Sequence, residues 1–241
     1  MKKLKAFFAN LAADFANRVA SLVFRLIWNP KIHYQKGAEG IRRPSGGTLF
    51  ILNHNWWLDA PILCVLCLRR RIHAVVAMDI AKMSHSTGGL RSLRCICVDR
   101  TKPDLSFFHE GLAVLRAGGC VAIFPEGYLN PSDKLLPFKQ GAAMLALQAS
   151  VPVVPVYTMG NYQPFQRLQL MFGAPVTLTQ RPSALGVQAA TQELQDAMQT
   201  LQQELEQTVN PKYLTRSRRF REHFAETLRR RREKREKEGK Q

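Results

Sequence analysis

No run of 18 or more apolar residues occurs in the sequence, because every long hydrophobic stretch is broken by Arg, Asp, Asn or Pro. A helix that crosses a bilayer is therefore not expected. A cleavable leader is not expected either: Met1 is followed by KKLK, but Asn10 and Asp14 interrupt the apolar region and no small-residue cleavage site follows. Acidic charge is scarce, since 18 Asp and Glu face 35 Lys and Arg and leave a net +17. Such a balance points to an anionic partner, with nucleic acid and anionic lipid as the two candidates. The five cysteines are an odd number and lie in apolar runs, PILCVLCL and RCICV. Reduced, buried thiols of a cytosolic compartment fit that placement. The C-x-x-C of Cys64 and Cys67 and the C-x-C of Cys95 and Cys97 sit in helix-like and strand-like runs rather than on turn-rich loops. No metal site is expected from them. Nor is there a G-x-S-x-G, an H-E-x-x-H, a P-loop or a G-x-G-x-x-G, which removes the chemistries those motifs serve.

What the chain does hold is apolar content for a core, 46% hydrophobic residues with 13 Phe in 241 residues. One α/β domain is the working expectation. Leu4, Phe7, Phe8, Leu11, Phe15, Val19, Leu22, Val23 and Leu26 repeat at the spacing of one helical face, and Pro30 ends the pattern just after Trp28. That amphipathic helix either packs on the domain or lies in a membrane surface. From Thr48 to about Phe172, six β-rich runs (TLFILN, IHAVVAM, CICV, VAIF, VPVVPVY and LQLMF) alternate with helix candidates near 59–70, 103–117 and 138–149. The pattern predicts a mixed, largely parallel sheet flanked by helices, with functional groups at the carboxyl ends of strands. A Gln-rich helix is predicted over 184–208, with Leu194, Met198, Leu201 and Leu205 on one stripe. The last segment, 211–241, carries 13 Lys and Arg against 5 Glu and reads as a mobile, basic, helix-prone tail. It suits anionic head groups or nucleic acid, or serves only to solubilise, but no nucleic-acid module accompanies it.

The chemistry concentrates at three strand ends. N-H-N-W-W-L-D-A-P, residues 53–61, follows TLFILN and offers His54 with Asp59 five residues on. A carboxylate on one imidazole nitrogen fixes the tautomer, raises basicity and leaves the other nitrogen free to take a proton from a hydroxyl. The Ser or Cys nucleophile of a triad is not part of the motif. V-A-I-F-P-E-G, residues 121–127, ends in Glu126 and Gly127, and C-V-D-R, residues 97–100, ends in Arg100. Brought together, these ends make a base, a cation and an acceptor-binding carboxylate. The plainer alternative is an Arg100–Glu126 ion pair closing the sheet edge.

The ordered blocks H-x-x-x-x-D at 54–59, the Arg-ended strand at 100, P-E-G at 125–127 and V-P-V-V-P-V at 151–156 resemble those of the glycerolipid acyltransferases, the lysophosphatidate acyltransferase-like family, over about residues 40–175. The resemblance implies that His54 deprotonates an acceptor hydroxyl, that Asp59 orients it, and that the oxygen attacks the thioester of acyl-CoA or acyl carrier protein. It also implies that Asn53, Arg100, Glu126 and Gly127 bind substrate, and that no metal or organic cofactor takes part. A thioester is activated enough for positioning and a general base to suffice, with backbone amides near the start of the next helix as oxyanion donors. A lipid acceptor accounts for both the amphipathic start and the basic end of the chain. The implied protein is a peripheral enzyme on the cytoplasmic face of a membrane, with residues 1–30 as the membrane-associating helix, 31–210 as the acyltransferase domain and 211–241 as the basic tail.

Two departures bear on the acceptor. Members that use a phosphorylated acceptor usually carry Thr or Ser and then Arg after P-E-G, where this chain has Tyr128 and Leu129, and often a Lys near the position of Met78. Losing both cations weakens a phosphate site, and Lys102, Lys134, Lys139 and Arg94 are the candidates to compensate. A hydroxyl-bearing lipid without a phosphate therefore stays open, as do a thioesterase-like hydrolase and a non-catalytic basic membrane-binding protein.

Overall fold

The computed structural model describes residues 15, 18–19, 22–41, 45–56, 58–59, 62–63, 71–77, 95–99, 105–160 and 162–238. Among them, seven strands form one sheet: β1 (Lys31–Tyr34), β2 (Thr48–Leu52), β3 (Ile72–Ala77), β4 (Ile96–Val98), β5 (Cys120–Ile123), β6 (Val153–Met159) and β7 (Gln169–Phe172). Their order is β1-β7-β6-β2-β5-β3-β4. The five strands from β6 to β4 run parallel, β7 turns back antiparallel to β6, and β1 lies parallel to β7. The mixed, largely parallel sheet is the one predicted. β1 was not expected, because KIHY is short and partly exposed and lacks the apolar run by which the other strands announce themselves.

Strand alternation sorts the core. Leu49, Ile51, Val121, Ile123, Val153 and Tyr157 face helices α1 (Ser106–Arg116), α2 (Gly141–Ala149) and α3 (Ala184–Thr208). Phe50, Leu52, Cys120, Ala122, Val154 and Val156 line the opposite face with Ile72 and Leu63. Strands buried on both faces are continuous in apolar residues, which is why their positions were readable. The α3 stripe of Leu194, Met198, Leu201 and Leu205 is buried as its spacing required. Ser183 caps that helix by accepting the N–H of Gly186.

The N-terminal helix divides the two readings offered for it. Over 22–28 the chain is helical, with Phe24 buried and stacked on Trp28, whose indole N–H donates to the Tyr162 carbonyl at 2.9 Å. Leu22 and Leu26 of the same segment are 61% and 70% exposed. One side is therefore fastened to the domain while apolar side chains remain on the outside. The first residues of the predicted helix, 1–14, lie outside the described residues, as do most of the helix near 59–70, Cys64, Cys67, Met78, Arg94, Arg100 and Lys102.

The C-terminal segment departs from the solvated tail foreseen. It is one helix, α4 (Pro211–Glu238), whose first half is part of the domain. Ser217 and Arg221 are buried, and the Phe220 and Phe224 rings lie 5.2 and 3.8 Å from that of Trp56. Arg221 pairs with Asp133, and Arg218 reaches the other oxygen of the same carboxylate at 3.0 Å. The Tyr213 hydroxyl sits at the carbonyls of Met159 and Arg167, and a side chain on Gly160 would collide with it. Charge count suggested a tail because it hid this interior face: Arg221, Phe220 and Phe224 pack toward the domain, while Arg216, Arg219, Arg229 and Arg230 are exposed. Packing thus continues past residue 210. Removing 211–241 is expected to lower the thermal midpoint by about 5 °C or more, whereas removing only 229–241 leaves it almost unchanged; thermal unfolding followed by circular dichroism checks both.

Candidate active site

The register of the parallel block carries the site. β2 pairs with β5 as Ile51↔Ile123 and with β6 as Leu52↔Val156, so continuing two residues past β2 sets His54 level with Glu126 on one side and Thr158 on the other. The His54 N–H donates to Glu126 Oε1 at 3.1 Å, and its carbonyl accepts the N–H of Asn130 at 2.6 Å. On either side of the histidine, Asn53 and Asn55 both donate through Nδ2 to the Thr158 carbonyl, at 3.0 and 2.9 Å. Asn53 Oδ1 also accepts the Thr158 N–H at 2.8 Å. The backbone at His54 is thus tied to two neighbouring strands before any substrate arrives.

The imidazole stacks on Phe124, with ring centroids 4.1 Å apart, and its Nδ1 lies 3.1 Å from Asp59 Oδ2. Asp59 has no solvent exposure, and the His54 side chain keeps 18%. The same Oδ2 accepts the Trp56 N–H at 2.8 Å, while Oδ1 accepts the Tyr162 hydroxyl at 2.6 Å and lies 3.5 Å from Thr158 Oγ1. A carboxylate surrounded by donors acts as acceptor throughout. Burial, reinforced by the Asp59 charge, pushes the Tyr162 phenol far above its ordinary range, so it stays a donor. With Oδ2 accepting from Nδ1, the neutral imidazole carries its lone pair on Nε2. That is the arrangement of a general base with its orienter.

Glu126 has the same buried, many-partnered character. Oε1 takes the His54 N–H, and Oε2 takes Asn130 Nδ2 and the Leu136 N–H at 3.0 Å. Burial raises its carboxyl above the usual range against the pull of these donors and of His54. Its oxygens are thus used inside the protein to hold His54 and the 130–136 loop. The polar atoms of Glu126 and Asn53 have partners inside the protein, which gives both a part in holding the strand end at His54. Gly127 follows with φ +73°, a conformation that favours glycine, and a side chain there would run into Lys139. Arg100 lies outside the described residues, but β4, the strand before it, stands at the sheet edge with β3 between it and β5. Two of the three strand ends are adjacent, and the third is offset by two strand positions.

Tyr162, Thr158, Asn130 and Trp56 were not foreseen. Tyr162 lies 103 residues from Asp59, and no local pattern links a tyrosine after a strand to a carboxylate in a distant turn. Asn130, four residues after Glu126, carried a faint signal as a short polar side chain in a turn-rich loop. Of the cysteines, Cys95, Cys97 and Cys120 are free, and burial beside Cys97 pushes the Cys95 thiol up to about 11. Such a thiol stays protonated and inert.

A strand-end histidine with a buried carboxylate partner, on a sheet of this topology, defines a class. The sequence profile described as Acyltransferase matches residues 34–159, more than half of the chain, and the chain belongs to that family. It is 26% identical over 171 residues to the 1-acyl-sn-glycerol-3-phosphate acyltransferase of Bacillus subtilis (strain 168), covering 68% of this chain and 85% of that protein. It is 53% identical over 96 residues to the human 1-acyl-sn-glycerol-3-phosphate acyltransferase alpha, a stretch covering 36% of this chain and 34% of the human one. The fold is similar to that of the 1-acyl-sn-glycerophosphate acyltransferase PlsC crystal structure from Thermotoga maritima, with a TM-score of 0.56 at 20% identity, covering 86% of this chain and 82% of that one.

Replacing Glu126 by Gln puts an amide where three N–H groups now converge, so at least one donor faces another donor. Glu126→Gln is expected to destabilise the fold by about 1–3 kcal/mol, read from denaturant unfolding.

Proposed function

We propose that this acyltransferase moves a fatty acyl group from acyl-CoA or acyl carrier protein to the hydroxyl of a lysophospholipid-type acceptor, 1-acylglycerol-3-phosphate foremost. His54 is the general base and Asp59 its orienter. The observation that carries the reading is the 3.1 Å contact between His54 Nδ1 and a fully buried Asp59, on a side chain that keeps part of its surface open to solvent. The acceptor is taken from the relatives of Bacillus subtilis and human, both named 1-acyl-sn-glycerol-3-phosphate acyltransferases.

In the step proposed, His54 Nε2 takes the acceptor's hydroxyl proton as its oxygen bonds to the thioester carbon. The tetrahedral oxyanion then collapses, the carbon–sulfur bond breaks, and the thiolate recovers the proton from the imidazolium. Proton and electron pair balance without a covalent enzyme intermediate. Asp59 stabilises the transient imidazolium, and Asn53 and Glu126 hold the strand end that aims it. Gly127 and Arg100 are assigned to the acceptor side.

The acceptor is a lipid, and the reading includes a peripheral seat on an anionic membrane at its cytoplasmic face. No helix among the described residues is long and apolar enough to cross a membrane. The outward Leu22 and Leu26, the exposed Phe165 beside them and the Arg229–Arg230 turn of α4 support that seat by apolar area and charge. Leu129, in place of the usual arginine after P-E-G, favours a second reading in which the acceptor is a lipid hydroxyl without a phosphate.

Thiol release from palmitoyl-CoA, measured without acceptor and with lysophosphatidate, monoacylglycerol and lysophosphatidylethanolamine in parallel, decides between them. Release with lysophosphatidate alone is the expected result; release without acceptor marks a hydrolase, and release with monoacylglycerol alone marks the second reading. His54→Ala is expected to lower kcat/KM by a factor on the order of 10²–10⁴ with the fold intact, and a variant close to wild type overturns the base assignment. Leu22→Asp with Leu26→Asp is expected to cut co-sedimentation with anionic phosphatidylglycerol vesicles while leaving the circular dichroism spectrum in place.

A further inference from the structure

A phosphomonoester held beside His54 needs a cation near the P-E-G turn, and the two side chains after that turn, Tyr128 and Leu129, carry no charge. The fold brings one there from elsewhere. Lys139 lies twelve residues beyond Gly127, past the 130–136 loop, yet its N–H donates to the Pro125 carbonyl at 2.8 Å and returns the chain to the turn. Its side chain then runs over Gly127: a methyl group built on that glycine would stand 2.7, 2.8 and 2.9 Å from the Lys139 Cε, Nζ and Cδ atoms. The ammonium comes to 4.3 Å above the Tyr128 ring. Gly127 directly follows Glu126, whose Oε1 bonds the His54 amide. The charge is therefore lodged on the turn whose preceding residue sets the base.

Two features prepare this ammonium for an anion. An aromatic face holds a cation without consuming its N–H donors, so the head group stays available while its position is biased. Lys139 is also exposed, so a phosphate reaches it without displacing a buried partner. A lysine is a point charge with rotatable donors and does not need the planar, two-pronged approach of an arginine.

We propose that Lys139 binds the phosphate of the acceptor, above Gly127 and Tyr128, and so selects a phosphomonoester lysolipid over an uncharged one. The assignment rests on the acyl-transfer reading above and names the cation it lacked. It also gives Gly127 a second reason to be glycine, since the lysine occupies the space a side chain would need.

The test uses the full chain with palmitoyl-CoA and lysophosphatidate in neutral detergent micelles, so that surface charge does not enter. Lys139→Met is expected to raise the KM for lysophosphatidate about tenfold or more, with a smaller change in kcat, an unchanged KM for palmitoyl-CoA and an unchanged thermal midpoint. Lys139→Arg is expected to restore most of the affinity. An unchanged KM for lysophosphatidate in Lys139→Met overturns the assignment while the function stands. A rise confined to palmitoyl-CoA overturns it in favour of a contact with the donor's phosphates, and an equal rise for both substrates or a fallen midpoint overturns it in favour of a structural role. Wild-type protein that transfers only to monoacylglycerol overturns the phosphorylated acceptor and this assignment together.

Discussion

A carboxylate with no access to water is costly to fold around unless every oxygen finds a donor, and the protein is arranged to meet that condition at Asp59. Its donors come from the His54 ring, the Trp56 amide and the Tyr162 hydroxyl, with the Thr158 hydroxyl close by. These groups sit in the turn after β2, on β6 and in the segment beyond it. The carboxylate is satisfied only when β2 and β6 pair in register, so correct sheet assembly and an oriented histidine are one event. Asn53 and Asn55 make the coupling stiffer by fixing both sides of His54 to a single carbonyl.

Two further carboxylates repeat the device on other pieces of chain. Glu126 gathers three N–H groups and so fixes the 130–136 loop to the end of β5. Asp133, carried on that loop, gathers Arg218 and the buried Arg221 and so fixes α4. The guanidinium of Arg221 is too deeply placed to be left without its partner. Each anion joins the element before it to the one after, and the sequence of joins runs from His54 to the C-terminal helix. Trp56 closes the circuit, because the α4 aromatics rest on the residue whose amide bonds Asp59.

Local patterns in the sequence announced what is local in the structure. The buried strands were legible from apolar runs, α3 from its leucine stripe, and the His54–Asp59 pair from a five-residue spacing that a turn can bridge. Everything that depends on a register between distant segments was hidden: Tyr162 on Asp59, Thr158 between two asparagines, Lys139 over Gly127. Glu126 was located but its partners were not, since a carboxylate at a strand end looks the same in sequence whether or not its own loop also bonds it. Net charge misled in the same way over α4, where arginines that pair inward count equally with those that face water. Edge strand β1 escaped because half-exposed strands leave little hydrophobic trace.

The reversal of β7 has one more outcome. Because β1 follows β7 rather than the parallel block, its first residue, Lys31, lies beside Gln169, which is paired with Met159 at the carboxyl end of β6. The 22–28 helix therefore joins the sheet at the end where His54 stands; had β1 run with the parallel strands, that helix would join at the far end, one strand length away. Were the helix seated on lipid as proposed, an acceptor already in the bilayer would approach sideways and need never dissolve. Turnover would then follow the number of acceptor molecules per unit area of membrane and be indifferent to the volume of water around it.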